Sequence, residues 1–165
     1  FHPVTGPGAN SNVPSLLPPL TTSSKILCTD CHNNDSVSGP KGPHGSMNPY
    51  LLAKNYTTAD NTTESPWTYE LCYSCHSRSS ILADQSFKQH NSHTVTYRAP
   101  CSACHDAHGI SITQGNPVNN AALINFDLGI VQPNSMGQLY FQKSGTYSGS
   151  CSLSCHGANH VLKPY

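Results

Sequence analysis

Every one of the eight cysteines in this chain belongs to a closely spaced pair that is followed at once by histidine. The sites are Cys28-Thr29-Asp30-Cys31-His32, Cys72-Tyr73-Ser74-Cys75-His76 and Cys101-Ser102-Ala103-Cys104-His105, with a widened fourth, Cys151-Ser152-Leu153-Ser154-Cys155-His156. C-x-x-C-H reads as covalent haem attachment. Two thiols add to the two vinyl groups on one porphyrin edge, and the next residue then lies under the ring, where its imidazole binds iron. One extra residue between the cysteines loops out without breaking that logic. A disulfide framework would leave four adjacent histidines unexplained, and so would paired zinc sites. The pattern predicts four haem c groups, thioether-bound through Cys28, Cys31, Cys72, Cys75, Cys101, Cys104, Cys151 and Cys155, with His32, His76, His105 and His156 on iron.

Six further histidines are present: His2, His44, His90, His93, His108 and His160. Four irons need at most four of them, and the only methionines, Met47 and Met136, sit among polar residues. The expectation is bis-histidine ligation throughout, hence closed, low-potential haems. His44, in the loop Gly42-Pro43-His44-Gly45, and His93, in a β-like run before the third motif, come first. His108 and His2 follow, then His160 and His90. In a helix His108 would share a face with His105, three residues earlier, so it would serve a neighbouring iron; His160, four after His156, invites the same argument.

Composition agrees that side chains alone do not make the core. Charged residues are 10% and hydrophobic residues 36%, with 12 Gly and 13 Pro. Such a chain either stays disordered or buries something else. Residues 1–25, rich in Pro, Gly, Ser and Thr, read as an extended N-terminal arm. Residues 26–165 read as one tetrahaem domain, mostly coil with short α-helices and few short strands, built around its haems. Helices are expected at 47–55 and 78–90 and as a turn at each attachment motif. Strands are expected near 123–126 and 139–141, about a turn at 133–137. The formal charge is zero, which points away from nucleic acid, and no apolar run approaches a membrane span. The chain opens at Phe1 without a secretory apolar segment, which reads as an exported protein whose signal peptide has been removed.

Several segments are similar to one group of multihaem proteins. They are Gly42-Pro43-His44-Gly45-Ser46, Leu71-Cys72-Tyr73-Ser74-Cys75-His76, Cys104-His105-Asp106-Ala107-His108-Gly109-Ile110, Leu123-Ile124-Asn125-Phe126-Asp127 and Cys151-Ser152-Leu153-Ser154-Cys155-His156-Gly157 with His160. Over most of residues 26–165 the chain resembles the extracellular tetrahaem cytochromes that polymerise into microbial nanowires, the OmcE type. That resemblance implies stacked haems, a head-to-tail homopolymer and delivery of electrons to extracellular acceptors. It also implies one iron ligand donated by the neighbouring subunit, for which His2, in Phe1-His2-Pro3-Val4, is the best match. The alternative is a soluble periplasmic tetrahaem shuttle, although eight Lys plus Arg leave little for a basic docking face. Catalysis at haem needs an open iron position; four motifs ending in His and a surplus of imidazole predict that the chain is not an enzyme.

Overall fold

The computed structural model describes residues 2, 4, 10–110 and 121–165. Most of that length is coil. Three short α-helices, α1 (Cys28–Cys31), α2 (Glu70–Tyr73) and α3 (Arg78–Leu82), alternate with 3-10 turns at Pro49–Leu51 and Cys101–Ala103 and a π-helical turn at Ser92–Thr96. A three-stranded antiparallel sheet closes the chain, β1 (Tyr140–Gly145), β2 (Ser148–Cys155) and β3 (Ala158–Pro164), in the order β1-β2-β3. Among the described residues no helix is long and apolar enough to cross a membrane.

The departures from the sequence expectations have local causes. The helix expected at 78–90 stops at Leu82 because Asp84 takes φ 56°, a left-handed conformation that a helix cannot continue through. Its carboxylate then accepts from the Asn91 amide. The helix expected at 47–55 shrinks to Pro49–Leu51, where Tyr50 and Leu51 both lie at positive φ. The β-like run at His93 is instead the π-helical turn, with the Thr94 hydroxyl donating back to the His90 carbonyl, a helical use of Thr. The strand expected at 123–126 is a single bridge, Ile124 to His105. Only the strand expected at 139–141 becomes one, as the start of β1, after a turn held by Asn134, whose side chain accepts from the Met136 and Gln138 amides. The fourth attachment motif lies in β2 rather than on a helical turn.

The side-chain core is small. Among the described residues the buried hydrophobic side chains are Leu52, Tyr69, Ala99, Ala103, Val131, Phe141 and Leu153. The contiguous part, Ala99, Ala103, Val131 and Leu153, joins the third motif to the fourth, with Cys104, Cys151 and Cys155 packed on it. The accessible surface is 9653 Å², against about 7,950 Å² expected for a compact chain of 17.7 kDa. The backbone therefore surrounds clefts instead of closing on itself.

The described part of the N-terminal segment, from residue 10 on, is a series of turns (Leu16 to Val13, Leu20 to Leu17, Ser24 to Thr21) that docks on the second motif. Leu16 bridges His76, Ser77 donates to the Ser15 carbonyl, and Leu17 donates to the Cys75 carbonyl. Tyr147 reaches back to Asn12.

One ion pair fixes the loop before the second motif. Glu64 is held by Arg78 at both oxygens, at 2.8 and 2.6 Å, and by the Tyr73 hydroxyl at 2.9 Å. The Glu64 side chain is 4% exposed and that of Arg78 is 40% exposed. Burial alone would raise the Glu64 pKa; the Arg78 and Tyr73 hydrogen bonds and the Arg78 charge outweigh it and lower it. Arg78→Ala, which strands a buried carboxylate, is expected to cost about 3 kcal/mol, at the low end for a broken buried pair because water reaches the arginine. Glu64→Gln frees a cation that can hydrate and should cost less. The contribution is present above the ordinary carboxylate pKa and is lost as pH falls through the lowered folded value. Urea midpoints of the two variants between neutral and acid pH check both the order and its sign.

Candidate metal-ligand centre

The first three motifs share one construction. In each, a single helical turn carries the histidine amide onto the carbonyl of the first cysteine: His32 to Cys28 at 2.8 Å, His76 to Cys72 at 2.9 Å and His105 to Cys101 at 2.9 Å. Each histidine then forms an isolated antiparallel bridge with an apolar residue, respectively Leu52, Leu16 and Ile124. Two flanking hydrogen bonds complete the clamp. The second cysteine's carbonyl accepts from Ala53, Leu17 or Asn125, and the residue after the histidine donates to the carbonyl of Leu51, Ser15 or Leu123.

The clamp also orients the imidazole. His32 Nδ1 donates to the Tyr50 carbonyl at 2.8 Å, and His105 Nδ1 to the Ala122 carbonyl at 3.0 Å. His76 Nδ1 hydrogen-bonds Ser15 Oγ at 2.9 Å. Two clamp strands, Tyr50–Leu51 and Ala122–Leu123, place consecutive non-glycine residues at φ between 56° and 63°, strained backbone that turns a carbonyl onto the ring. A histidine pinned at Nδ1 by a carbonyl keeps Nε2 free as a metal ligand, the usual arrangement around bound metals.

The same pinning recurs among the other histidines. His2 Nδ1 donates to the Ala107 carbonyl at 2.8 Å, and His93 Nδ1 to the Gln89 carbonyl at 2.7 Å. His108 turns Nδ1 toward Asp106, 3.9 Å away. His90 has a buried Nδ1 with no hydrogen-bond partner, an orphaned polar atom of the kind that calls for a partner.

These rings meet in pairs. His32 and His108 have centroids 6.0 Å apart and planes within 6° of parallel. His90 and His105 are 6.4 Å apart at 40°. Two imidazoles on opposite sides of one metal, with bonds of about 2 Å, hold their centroids about 6.3 Å apart. His76 lies within electrostatic reach of His2 and His105. Burial, then those neighbours, pushes the His76 pKa down to about 4; burial, with His105 beside it, does the same to His90. His105 is lowered too, chiefly by burial. These rings are neutral at neutral pH, the state in which an imidazole lone pair can bind metal. Among the described residues no three His, Cys, Asp or Glu side chains converge as a bare-ion site, so the donors are arranged as facing rings rather than a tetrahedral cage.

The cysteines are all free thiols, and consecutive motifs adjoin. Cys31 lies within electrostatic reach of Cys75 and Cys72, Cys72 and Cys101 share a hydrogen bond, and Cys104 lies beside Cys151 and Cys155. Burial, with those two neighbours, pushes Cys104 up to about 12, and burial pushes Cys151 up to about 11. The four motifs thus follow one another through the molecule in chain order.

The fourth motif fits less well. His156, at φ 48°, gives Nε2 to both oxygens of Asp60 at 2.9 Å, so the nitrogen left open in the other three is engaged here. His160 stands on β3 with its pKa lowered by burial and by His93 and Lys163. His44 is exposed, and among the described residues its ring has no hydrogen-bond or ring partner, while its amide donates to the Gly42 carbonyl. Sequence reasoning placed His44 and His93 ahead of His108 and His90; the rings that face a motif histidine at close range are His108 and His90. The clamp segments were missed altogether, although consecutive non-glycine residues at positive φ leave no mark in composition.

No protein-family model matches this chain, and neither a curated protein nor a solved structure matches it.

Proposed function

We propose that this chain is an electron-transfer protein that holds four haems c covalently, each closed by two histidines, and that it is not an enzyme. The observation that carries the reading is the His32–His108 pair: two rings 6.0 Å apart and nearly parallel, with Nδ1 of His32 bonded to the Tyr50 carbonyl and Nδ1 of His108 near Asp106. The free thiols, the repeated clamp and the small side-chain core support it. Bound there, haem supplies a one-electron iron couple whose potential bis-imidazole ligation holds low. The chain's own part is to fix and dry the ligands. Tyr50, Ala122 and Ser15 hold the proximal rings of His32, His105 and His76; Ala107 and Asp106 orient His2 and His108. Burial of His76, His90 and His105 keeps them neutral. We assign His108 to the first motif, His2 to the second and His90 to the third.

The chain is exported, and in our reading it is a subunit of an extracellular head-to-tail filament delivering electrons to outside acceptors. The resemblance supplies the filament. The surface is compatible with one: Val37, Met47 and Trp67 are 98%, 92% and 68% exposed. They line a cleft of about 430 Å³ with Asp35, Lys54 and Glu70 beside the first clamp, while Val161 and Leu162 are exposed on β3. A contact between two different patches that does not close generates an open fibre. His2 is engaged with Ala107 of its own chain, so the ligand crossing between subunits is better sought at His44, with the fourth motif of the next subunit as its destination.

Intact mass and the ferrous absorption spectrum test the cofactor: four haems per chain are expected, and a mass equal to that of the amino acids alone ends the proposal. Electron microscopy tests the assembly. His44→Ala is expected to abolish long fibres while leaving the haem count at four, whereas His2→Ala leaves fibre length unchanged and opens one iron within the subunit. Fibres from His44→Ala would remove His44 as the crossing ligand, and discrete monomers from the unaltered protein would favour the periplasmic shuttle.

A further inference from the structure

Three asparagines stand in the pattern Asn-x-Ser/Thr: Asn34-Asp35-Ser36, Asn55-Tyr56-Thr57 and Asn61-Thr62-Thr63. The pattern is short enough to arise by chance in a chain so rich in Asn, Ser and Thr, and the fold separates the three. Modification requires the carboxamide nitrogen to be reachable and the hydroxyl two residues on to be free.

Asn34 meets neither condition: it is half-buried, and the Ser36 hydroxyl is engaged with the Ser38 hydroxyl at 3.4 Å. Its Oδ1 accepts from the Ser36 amide at 2.7 Å. Its Nδ2 is wedged so closely over Gly39 that a Cβ there would lie 2.5 Å from it, and Gly45 closes the other side at 3.6 Å by the same measure. The backbone at Gly39 thus packs directly against the nitrogen to which a sugar would have to attach. Asn55 is committed to structure: its Nδ2 donates to the Trp67 carbonyl at 2.9 Å and to Thr57 Oγ1 at 3.4 Å. That second bond also occupies the hydroxyl its pattern requires. Both residues therefore have local structural work that a substituent on nitrogen would break.

Asn61 differs in every respect. It is exposed, in a turn, at φ 58°, a conformation Asn tolerates. Its Nδ2 makes one long contact, 3.3 Å to Asp60 Oδ2 on the adjacent side chain. Thr63 is exposed and among the described residues its hydroxyl has no partner, while its carbonyl accepts from Thr68. The Thr62 hydroxyl is turned away to the Ala59 carbonyl. The composition supplies a reason for a sugar: with net charge zero and 10% charged residues, this surface has little electrostatic protection against association, and a glycan is bulky and solubilising.

We propose that Asn61 is an N-glycosylation site, the one of the three that the folded chain presents. The co-reactant is an oligosaccharide activated as a lipid-linked phosphate ester. Asn61 Nδ2 bonds to the anomeric carbon, the bond from that carbon to the phosphate oxygen breaks, the lipid phosphate leaves with the electron pair, and one amide proton goes to a base. Nothing is oxidised or reduced. The modified nitrogen keeps one N–H, so the contact to Asp60, and through it the Asp60–His156 bond, is compatible with the sugar.

The test is peptide mass spectrometry of the protein purified from its native source, with and without enzymatic release of N-glycans. The peptide containing Asn61 is expected to carry a hexose-class mass that release removes, and those containing Asn34 and Asn55 to run at their unmodified masses. In the same host Thr63→Ala is expected to lose the glycan and Thr63→Ser to retain it. An Asn61 peptide found only at its bare mass, sugar on Asn34 or Asn55, or a glycan that survives Thr63→Ala would each overturn the proposal. Haem absorbance, read on the same samples, is expected to be unchanged in Thr63→Ala, which separates this site from the haem ligands.

Discussion

His108→Ala is expected to open one iron of the four to carbon monoxide. The first motif fixes His32 by the Tyr50 carbonyl, and the ring facing it is His108. Removing that imidazole leaves no second histidine at the same distance, and the nearest carboxylate, Asp106, lies on the Nδ1 side of the lost ring. The ferrous protein should then bind about one carbon monoxide per chain, where the unaltered protein binds close to none. His90→Ala should do the same at the third motif, and the double variant about two, because the pairs are separate and distant effects add. His108→Met should keep the site closed but raise one midpoint potential by on the order of 0.1 V, a small part of the roughly 0.8 V that axial ligation spans. Carbon monoxide titration of the intact protein checks all of these. If His93→Ala opens an iron and His108→Ala does not, the pairing is wrong.

The four Cys/His motifs that we propose as attachment sites are read from the sequence because thioether chemistry is local: two thiols and an imidazole within five or six residues specify them. The coarse fold was legible for a related reason, since so many Pro, Gly, Ser and Thr residues oppose long elements. Which of the other histidines face those motifs was not, because that depends on chain paths of low local signal. His108 reaches His32 across 76 residues of sequence only because the Tyr50–Leu52 and Ala122–Ile124 clamps fix the two motifs, and each clamp is a single bridge. The segment Leu123–Phe126, expected as a strand, does pair, but its partner is the Cys104–His105 segment and the pairing is a single bridge. His44 drew attention for standing in a loop without structural need of an imidazole. The fold leaves it in that condition, exposed and with its ring unpartnered among the described residues, which within one subunit is a reason against it.

The largest loss is expected from the third motif, because it occupies the centre of this arrangement. Cys101 touches Cys72 of the second motif, Cys104 lies beside Cys151 and Cys155 of the fourth, and Ala103 is 1% exposed in the cluster with Val131 and Leu153. Ile124, Asn125 and Asp127 are tied to His105, Cys104 and Ala103 by backbone bonds. Cys101→Ser with Cys104→Ser removes the two thiols that, in the proposed function, carry the third haem, and puts two hydroxyls where the surroundings are thiols and apolar side chains. Each buried, unpartnered hydroxyl costs about 1–3 kcal/mol, and the proposed haem of the third motif is lost with the thiols. Against a total stability of about 5–15 kcal/mol for a domain, the expected result is no folded protein: aggregation or proteolysis on export and no recoverable red material. The matched control is Cys28→Ser with Cys31→Ser. That pair lies at the end of the series, Cys28 is exposed, and α1 buries none of its residues; this variant should be recovered with three haems per chain and a modest loss of stability. Yield, haem-to-protein ratio and resistance to protease decide between the two, and equal recovery of both variants would mean that the third motif is not the centre on which the others are assembled.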